Sequence, residues 1–418
     1  ESDTAYQAIS QFFAENPSPT SAKVGRRGGE GSATITGTTA NTEQFTIKIT
    51  AQGNEDEVSA TAAGDTATDV ENVISALVTT LNTNGVFDGI LNITSDLNGF
   101  LSRVVITSVD EDYTFTVELS TNSAQAVFTF GFVGTEDVNA CYDAIAEFDG
   151  DFYFITSEEK PYGAQGSQEY DFCYGLAIKA RDNDKLYFVS AGDAVNLNPN
   201  DSTSFFWNVG PQGQGLVNTV TIWHHYADSN VVGQAYPECY IVGYNAPYDA
   251  GSVTWSNLDV QLPASGQPNN TSKPLNTSQK SGLGELNANF VERDAGINIF
   301  RNGLTAGGEW IDVVRGVHWL TEDMTVSLKG LLYSQKGGKV PFTNAGIARV
   351  RETCQSSLQR AVNRGFLDSY TLFVPLVADV PNNEWVQRVL KGVNFTGILA
   401  GAIHTIEVSG SVTTPTAL

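Results

Sequence analysis

The spacing of apolar residues changes twice along this chain, and that change limits its possible folds more than any other feature. Between residues 32 and 132, apolar side chains recur at every second position, as at Phe45 and Ile47, which is the period of a half-buried β-strand. Before and after this segment, strand patterns alternate with patterns of helical period. We therefore predict an inserted β-rich domain over 32–132 and a larger domain formed by residues 1–31 and 133–418.

One helix interrupts the strand alternation of the inserted segment. Its apolar stripe recurs at helical spacing and consists of Val70, Val73, Ile74, Leu77, Val78 and Leu81. Thr66 and Asp69 supply a capping box at its start, and Asn84-Gly85 is typical of a helix end. With strands on both sides of this helix, the segment is predicted to form a ββαββ unit.

The flanking sequence predicts a mixed sheet that carries helices. Strands are expected at 152–156, 186–190 and 217–223, and helices at 168–181, 312–333 and 344–365. Residues 250–310 are broken by prolines and are predicted to be rich in loops. The predicted fold class is therefore α/β (α+β) and multidomain, in a chain of 418 residues that can hold two or three domains.

The charge balance of the chain excludes several classes of partner. With 47 acidic and 23 basic residues, its net charge of −24 repels phosphate backbones and anionic lipid surfaces. We therefore expect neither nucleic acid nor a membrane as a partner, and no stretch approaches the roughly 18 apolar residues of a membrane helix. The sequence opens inside a helical pattern without Met, so we expect that a preceding segment is missing.

The four cysteines match neither a zinc site nor a disulfide framework. They are Cys141, Cys173, Cys239 and Cys354. Each lies beside apolar residues, so we expect small buried side chains in a reducing compartment.

No group of residues has the spacing of a catalytic or metal site. His224 and His225 are adjacent in a predicted strand, so their side chains are expected to point to opposite faces and cannot share a metal. His318 and His404 lie among apolar residues and are predicted to be hydrogen-bonded structural histidines. The acidic run at 55–57 is interpreted as a solvated turn. We therefore predict no enzyme activity, no cofactor and no metal.

One predicted helix carries an excess of positive charge. Arg349, Arg360 and Arg364 lie opposite the apolar face of the helix at 345–365. This arrangement is typical either of a solvated helix face or of a contact surface for an acidic partner, and the sequence leaves both interpretations open.

The last predicted strand begins near residue 403. His404 stands at its start, and Ile406, Val408 and Val412 alternate along it, which gives the strand one apolar face. A terminal strand has an unpaired edge, and such an edge can pair with a neighbouring subunit. Residues 403–418 are therefore a candidate inter-subunit arm.

Several short motifs stand in a fixed order along the chain. They are residues 308–316 (GEWIDVVRG), 339–347 (KVPFTNAGI), 374–375 with 378–380, and 399–410 (LAGAIHTIEVSG), preceded by Phe12-Phe13, Pro17-Ser18-Pro19 and Lys23-Val24-Gly25-Arg26. Together they resemble the contractile-tail sheath proteins of bacteriophages, in a phage family long catalogued as a domain of unknown function. The resemblance spans most of the chain and is weaker over 32–132.

The resemblance implies a structural subunit rather than an enzyme. Such subunits stack in six-fold rings around a tail tube and contract to drive the tube through the host envelope. The implied partners are further copies of this chain, the tail tube protein, and the baseplate and tail terminator proteins. The implied location is the virion, assembled in the host cytoplasm. Residues 32–132 would face outward, Arg349, Arg360 and Arg364 would face the tube, and 403–418 would link subunits.

Two other classes of protein are compatible with parts of the sequence. One is another structural protein of the tail or baseplate, although a tube protein would contain more β-structure than this chain predicts. The other is a secreted carbohydrate-binding or hydrolytic protein, which the acidity and the aromatic content favour. The absence of paired cysteines and of a catalytic pattern in the sequence weakens that second alternative.

Overall fold

The chain adopts the α+β multidomain architecture that its sequence predicts. The computed structural model describes residues 4–25, 29–109, 115–134, 137–162, 165–225, 236–268, 270–333 and 338–405. The chain divides into two compact units. We name Val24–Phe148 the β-rich unit, and this unit encloses the predicted segment 32–132. Glu1–Lys23 and Asp149–Leu418 together form the α/β unit, whose first described helix is α1 (Thr4–Phe12).

The β-rich unit places two antiparallel sheets around one helix. Its elements are β1 (Gly29–Thr36), β2 (Gln44–Ala51), β3 (Asn54–Thr61), α2 (Ala67–Asn84), β4 (Leu91–Asp96), β5 (Arg103–Ser108), β6 (Phe115–Thr121) and β7 (Val127–Gly134), and α3 (Val138–Asp149) follows. One sheet has the strand order β4-β5-β1-β7, and the other has the order β3-β2-β6. The apolar faces of both sheets and of α2 pack into a single core.

Helix α2 confirms the prediction made from its periodicity. All members of the predicted apolar stripe are buried. Thr66 and Asp69 form the expected reciprocal capping box, and Gly85 ends the helix in the left-handed region at φ 65°. The predicted ββαββ pattern is too short, because three strands precede α2 and four follow it among the described residues. Strand β3 contains the acidic run at 55–57, so the interpretation of that run as a turn is wrong.

The α/β unit is built on a six-stranded mixed sheet. Its elements up to the last sheet strand are β8 (Phe154–Thr156), α4 (Gln168–Asp182), β9 (Leu186–Ala191), α5 (Phe205–Val209), β10 (Thr219–Trp223), α6 (Pro237–Asn245), β11 (Leu258–Asp259), β12 (Gly266–Gln267), β13 (Asn270–Pro274), α7 (Thr277–Glu285), β14 (Asn289–Asp294) and β15 (Ile297–Arg301). The strand order is β11-β15-β14-β10-β9-β8, and the pairs from β8 to β14 are parallel. Every residue of β9 and β10 is buried, as expected for parallel strands covered on both faces.

The prediction of a loop-rich segment over 250–310 missed the strands and the helix that lie within it. Strands β14 and β15 form an antiparallel hairpin that extends the sheet beyond its parallel part, and β11 pairs with β15 at the edge. The hairpin turns at Ala295 and Gly296, which both have positive φ (49° and 92°). Two positive φ values suit the right-handed twist of the flanking strands.

A buried ion pair stabilises the carboxyl ends of the first two sheet strands. The Lys160 ammonium contacts the Glu238 carboxylate and lies 3.0 Å from the Ser190 hydroxyl oxygen, which itself donates to Glu238. All three side chains are buried, and the ammonium also stands over the Tyr236 ring. The network joins the segment after β8, the end of β9 and the first turn of α6.

Two long helices form the rest of the α/β unit with a small second sheet. These elements are α8 (Ile311–Tyr333), α9 (Asn344–Asn363), β16 (Leu367–Phe373), α10 (Asn382–Gln387) and β17 (Asn394–Leu399). Both long helices were predicted from sequence and are confirmed. Gly316 lets α8 approach closely, because a Cβ atom there would lie 2.3 Å from the Phe366 ring. Gly346 plays the same role in α9, where a Cβ would lie 1.9 Å from the Pro341 oxygen.

Arg315 anchors the start of α8 to the six-stranded sheet without a carboxylate. Its guanidinium donates to the backbone oxygens of Asn245, Ala246 and Tyr248 at the end of α6. It also lies over the rings of Phe154 and Trp255, and burial lowers its pKa to about 10. Unpaired carbonyls at a helix end need donors, and a planar fork supplies several at once.

Candidate assembly surface

The residues predicted for an inter-subunit strand are only partly described. His404 lies in an irregular segment after β17, where its Nε2 is 3.0 Å from the Thr254 hydroxyl oxygen. Ile406, Val408 and Val412 lie outside the described residues, so their role stays a prediction. The described strand nearest to the predicted arm is β17, which ends at Leu399, before the arm was expected to begin.

The three arginines predicted to face a tube have partners within the chain. Arg360 forms a two-pronged ion pair with Asp323 of α8, with Nε at 3.2 Å and Nη2 at 2.6 Å from the two carboxylate oxygens. Arg364 pairs with Asp249 at 3.3 Å and lies 4.1 Å from the centre of the Trp319 ring. Arg349 is half-buried. A contact of this helix with a partner stays a prediction.

The described histidines are hydrogen-bonded, as predicted, but the two adjacent rings do not diverge. Those of His224 and His225 stack with centres 4.8 Å apart, because β10 ends at Trp223 and strand alternation no longer applies. His224 Nε2 lies 3.0 Å from the Pro263 oxygen, and burial lowers the pKa of His224 to about 4. His318 Nδ1 lies 2.8 Å from the Tyr153 hydroxyl.

The described part of the chain offers no metal centre and no membrane span. It contains no group of three or more His, Cys, Asp or Glu side chains placed to hold a metal ion. None of its helices is long and apolar enough to cross a bilayer. All four cysteines are buried as free thiols, and burial raises the pKa of Cys173 and of Cys239 to about 12. Such thiols are poor nucleophiles.

The sheet formed by β16 and β17 (the β16–β17 sheet) is covered on one strand only. Its inner face carries Leu367 and Leu372 of β16, which pack with Leu320 of α8 and with Leu358 of α9. Leu367 is the one buried residue of β16, Tyr370 and Leu372 are half-buried, and none of the residues of β17 is buried. The helices therefore support β16, and β17 extends beyond them.

Strand β17 exposes the apolar side chains that should cover a core. Phe395 and Leu399 lie opposite Leu372 and Leu367 and share their face, yet they are 45% and 44% exposed. Ile398 is 59% exposed. Phe395 and Leu399 lie on one face of the sheet and Ile398 on the other, so β17 exposes apolar side chains on both faces. Exposed apolar groups of this size are typical of interaction sites.

The connection between β16 and β17 also exposes large apolar side chains. It contains α10, and four of its large side chains are exposed: Leu376, Trp385, Val386 and Val389. Exposed tryptophan is the residue type that most often dominates the energy of an interface. We give the name apolar surface to the exposed apolar residues of β17 and of this connection, which are Phe395, Ile398, Leu399, Leu376, Trp385, Val386 and Val389.

Both strands of the β16–β17 sheet also leave backbone groups available. Within the described residues each strand pairs only with the other, so the sheet has two unpaired edges. A two-stranded sheet is marginally stable by itself, and an edge next to apolar side chains favours the addition of another strand. This combination can bind an extended segment through main-chain hydrogen bonds and apolar contacts.

The comparisons with known proteins give distant likenesses among solved structures alone. No family model matches the chain, and no curated protein matches it. Among solved structures, it is similar to the sheath tail protein from Desulfitobacterium hafniense. The two chains are 10% identical, the match covers 83% of this chain and 76% of that chain, and the TM-score is 0.38.

Proposed function

We propose that this protein is the sheath subunit of a contractile phage tail. Copies of the chain would polymerise in six-fold rings around a tail tube and contract to drive the tube through a host envelope. The tube protein, the baseplate and the tail terminator would be the other partners. The assembled form would belong to the virion and would form in the host cytoplasm.

The β16–β17 sheet is the observation that carries this proposal. Its unpaired edges and the exposed Phe395, Ile398 and Leu399 are disadvantages for a protein that works alone. They are useful in a subunit that receives a strand from a neighbour. One copy would donate residues 403–418 as a strand, and the next copy would accept it at its β16–β17 sheet. The donating and the accepting surfaces of each copy are therefore different. Such a head-to-tail contact generates rings or open filaments rather than closed dimers.

The motifs that carry the sequence resemblance also shape the platform beneath this sheet. Gly316 and Arg315 fix α8 against Phe366 and against the end of α6. Asn344 accepts a hydrogen bond from the Val377 amide at 3.0 Å, which ties the start of α9 to the segment after β16. These residues therefore hold the helices in a fixed arrangement under the proposed assembly surface.

Two other functions remain alternatives with different outcomes in solution. Another tail or baseplate protein would form short complexes or rings of fixed size rather than long cylinders. A secreted carbohydrate-binding or hydrolytic protein would remain monomeric. The exposed apolar surface favours the assembling classes over the monomeric one.

The decisive experiment is to image and sediment the purified protein with and without residues 406–418. We expect the 418-residue chain to form long hollow cylinders, with the β-rich unit on their outer surface. The shortened protein retains every described residue, so it should keep its thermal unfolding profile and remain monomeric. Cylinders of normal length from the shortened protein would refute strand addition by this arm. Monomers of the 418-residue chain, under all salt and crowding conditions, would refute the sheath function.

A further inference from the structure

His404 is held in a small cradle formed by two other parts of the chain. Thr254 and Asn257 come from the segment between α6 and β11, and Trp310 directly precedes α8. His404 is half-buried, whereas the residues on both sides of it are exposed, and Ile403 is 83% exposed. Of this stretch, only the His404 side chain enters the body of the unit.

Three separate contacts hold His404 in this cradle. Its Nε2 lies 3.0 Å from the Thr254 hydroxyl oxygen, and the Asn257 side-chain amide donates to the His404 backbone oxygen at 3.0 Å. The imidazole meets the Trp310 ring edge-on, with centres 4.4 Å apart. One contact between the two rings, one to a ring nitrogen and one to the backbone together fix both the position and the direction of His404.

The cradle is itself held in place by other interactions. The Thr254 hydroxyl also accepts a hydrogen bond from the Ser256 amide, and Asn257 accepts one from Arg301 at 2.8 Å. Asn257 adopts a positive φ of 58°, which Asn tolerates better than most residues. The contacts to His404 therefore reach a segment that is itself hydrogen-bonded to β15 of the six-stranded sheet.

The cradle is unsuited to catalysis although it contains a histidine, a hydroxyl and a nearby carboxylate. A nucleophile–base pair needs a third group that orients the base. Asp312 instead accepts backbone hydrogen bonds from its own amide and from Val313, and burial raises its pKa. The Thr254 hydroxyl is already bonded to a backbone amide. The arrangement holds a segment in place.

We propose that this cradle anchors the root of residues 406–418 and so determines where the inter-subunit strand leaves its own subunit. The inference rests on the proposed function, which assigns those residues to strand addition. A segment that starts from a fixed point reaches a neighbouring edge at a higher effective concentration than one that starts from a free chain. His404, Trp310, Thr254 and Asn257 are thus positioning residues for assembly.

The anchor can be tested in the monomer by NMR of a sample with ¹³C-labelled histidine rings. The chain has four histidines, so their signals can be assigned by single substitutions. We expect the His404 ring signal to carry a ring-current shift that disappears in Trp310→Ala. Ile403→Ala removes an exposed neighbour and serves as the control that leaves this signal in place.

The effect on assembly is measured with the same proteins. His404→Ala and Trp310→Ala should raise the critical concentration for cylinders about fivefold or more, the effect of losing one hydrogen-bonded anchor per subunit. His404→Gln should recover part of this loss, because its side-chain amide can reach the Thr254 hydroxyl. Ile403→Ala should assemble like the unchanged protein.

Each result decides one part of the inference. An unchanged His404 signal in Trp310→Ala would show that the anchor does not form in solution. A changed signal with unchanged assembly would refute its role in positioning the strand. If the unchanged protein forms no cylinders at all, the sheath function fails and the role in assembly fails with it, while the NMR result still decides whether the anchor exists.

Discussion

The six-stranded sheet and the β16–β17 sheet belong to the same unit, but the chain covers them very differently. Every residue of β9 and β10 is buried, with helices and loops of the same chain around them. In the β16–β17 sheet, Leu367 is the one residue that reaches full burial. The central strands of the first sheet are buried within the chain. The second sheet has apolar residues of the kind found in cores, but those of β17 are exposed.

This difference separates what stabilises the subunit from what assembles it. The six-stranded sheet gains its stability within one chain, so changes there should alter unfolding. The apolar surface contributes little to the stability of one chain, because the side chains of β17 remain in contact with water. Changes there should alter association and leave unfolding almost unchanged. The predictions below test this separation, from the largest expected effect on stability to the smallest.

The largest effect is expected from breaking the buried ion pair at the ends of β8 and β9. Glu238→Gln leaves the Lys160 ammonium buried without its carboxylate, which should destabilise the protein by about 3–5 kcal/mol. Urea unfolding followed by circular dichroism measures this loss. The cost arises from desolvation of an unpaired charge, since the substitution hardly changes the side-chain volume.

The matched control for this substitution removes both charges. Lys160→Met combined with Glu238→Leu replaces the pair by apolar side chains of similar size, and such replacements are often neutral or stabilising. Ser190 would lose its partners, so we expect partial rather than full recovery relative to Glu238→Gln. A single variant that loses less than about 1 kcal/mol would contradict the assignment of this network to the core.

An intermediate effect is expected on acidification, through the histidine that follows β10. His224 is buried and its pKa is lowered from 6.5 to about 4. The unfolded chain therefore takes up a proton at a higher pH than the folded one. Stability from this group is fully present above pH 6.5 and is lost as the pH falls towards 4. Between pH 7.5 and 4.5 the loss should be about 2–3 kcal/mol.

The control for acidification is a side chain that keeps the hydrogen bond and does not titrate. In His224→Gln the amide nitrogen can donate to the Pro263 oxygen. As the pH falls, the unchanged protein should lose more unfolding free energy than the His224→Gln variant. Parallel pH profiles would show that other groups cause the acid sensitivity.

The buried elements of the fold could be predicted because the spacing of their apolar residues matches the period of the element they form. Helix α2 has a complete apolar stripe and both of its end signals in sequence, and its bounds agree with them. Strand β9 is apolar apart from Ser190, which is typical of a parallel strand between two layers. In both cases the burial pattern and the secondary structure follow from the same residues.

The errors arise where tertiary context overrides the local signal. The turn between β14 and β15 uses Ala295-Gly296 rather than the Asn-Gly or Asp-Gly that marks such hairpins, so the hairpin was not predicted. Strand β3 has exposed acidic residues because it is an edge strand of its sheet. Its polarity was therefore mistaken for that of a turn.

The candidate assembly surface could not be derived from sequence for a related reason. The pattern of Phe395, Gly397 and Leu399 predicts one apolar face, but it does not tell whether the same chain covers that face. In the same way, the helical position of Arg360 indicates a charged face, whereas its partner Asp323 lies on another helix. Both properties depend on which distant segments reach the residue.

The smallest effect on stability, with a large effect on assembly, is expected from Ile398→Thr on β17. Threonine keeps the β-branched shape that suits a strand, and Ile398 is 59% exposed, so the unfolding free energy should change by less than about 0.5 kcal/mol. The same substitution at Ile222 of β10 is the matched control: this residue is fully buried, and losing apolar contacts while burying a hydroxyl should cost about 2–4 kcal/mol.

Cylinder formation by Ile398→Thr, measured by sedimentation, should be reduced because the apolar surface is weakened. A loss of more than about 1.5 kcal/mol in the Ile398→Thr monomer would mean that the chain itself covers this strand, and the β16–β17 sheet would then be an ordinary part of the core.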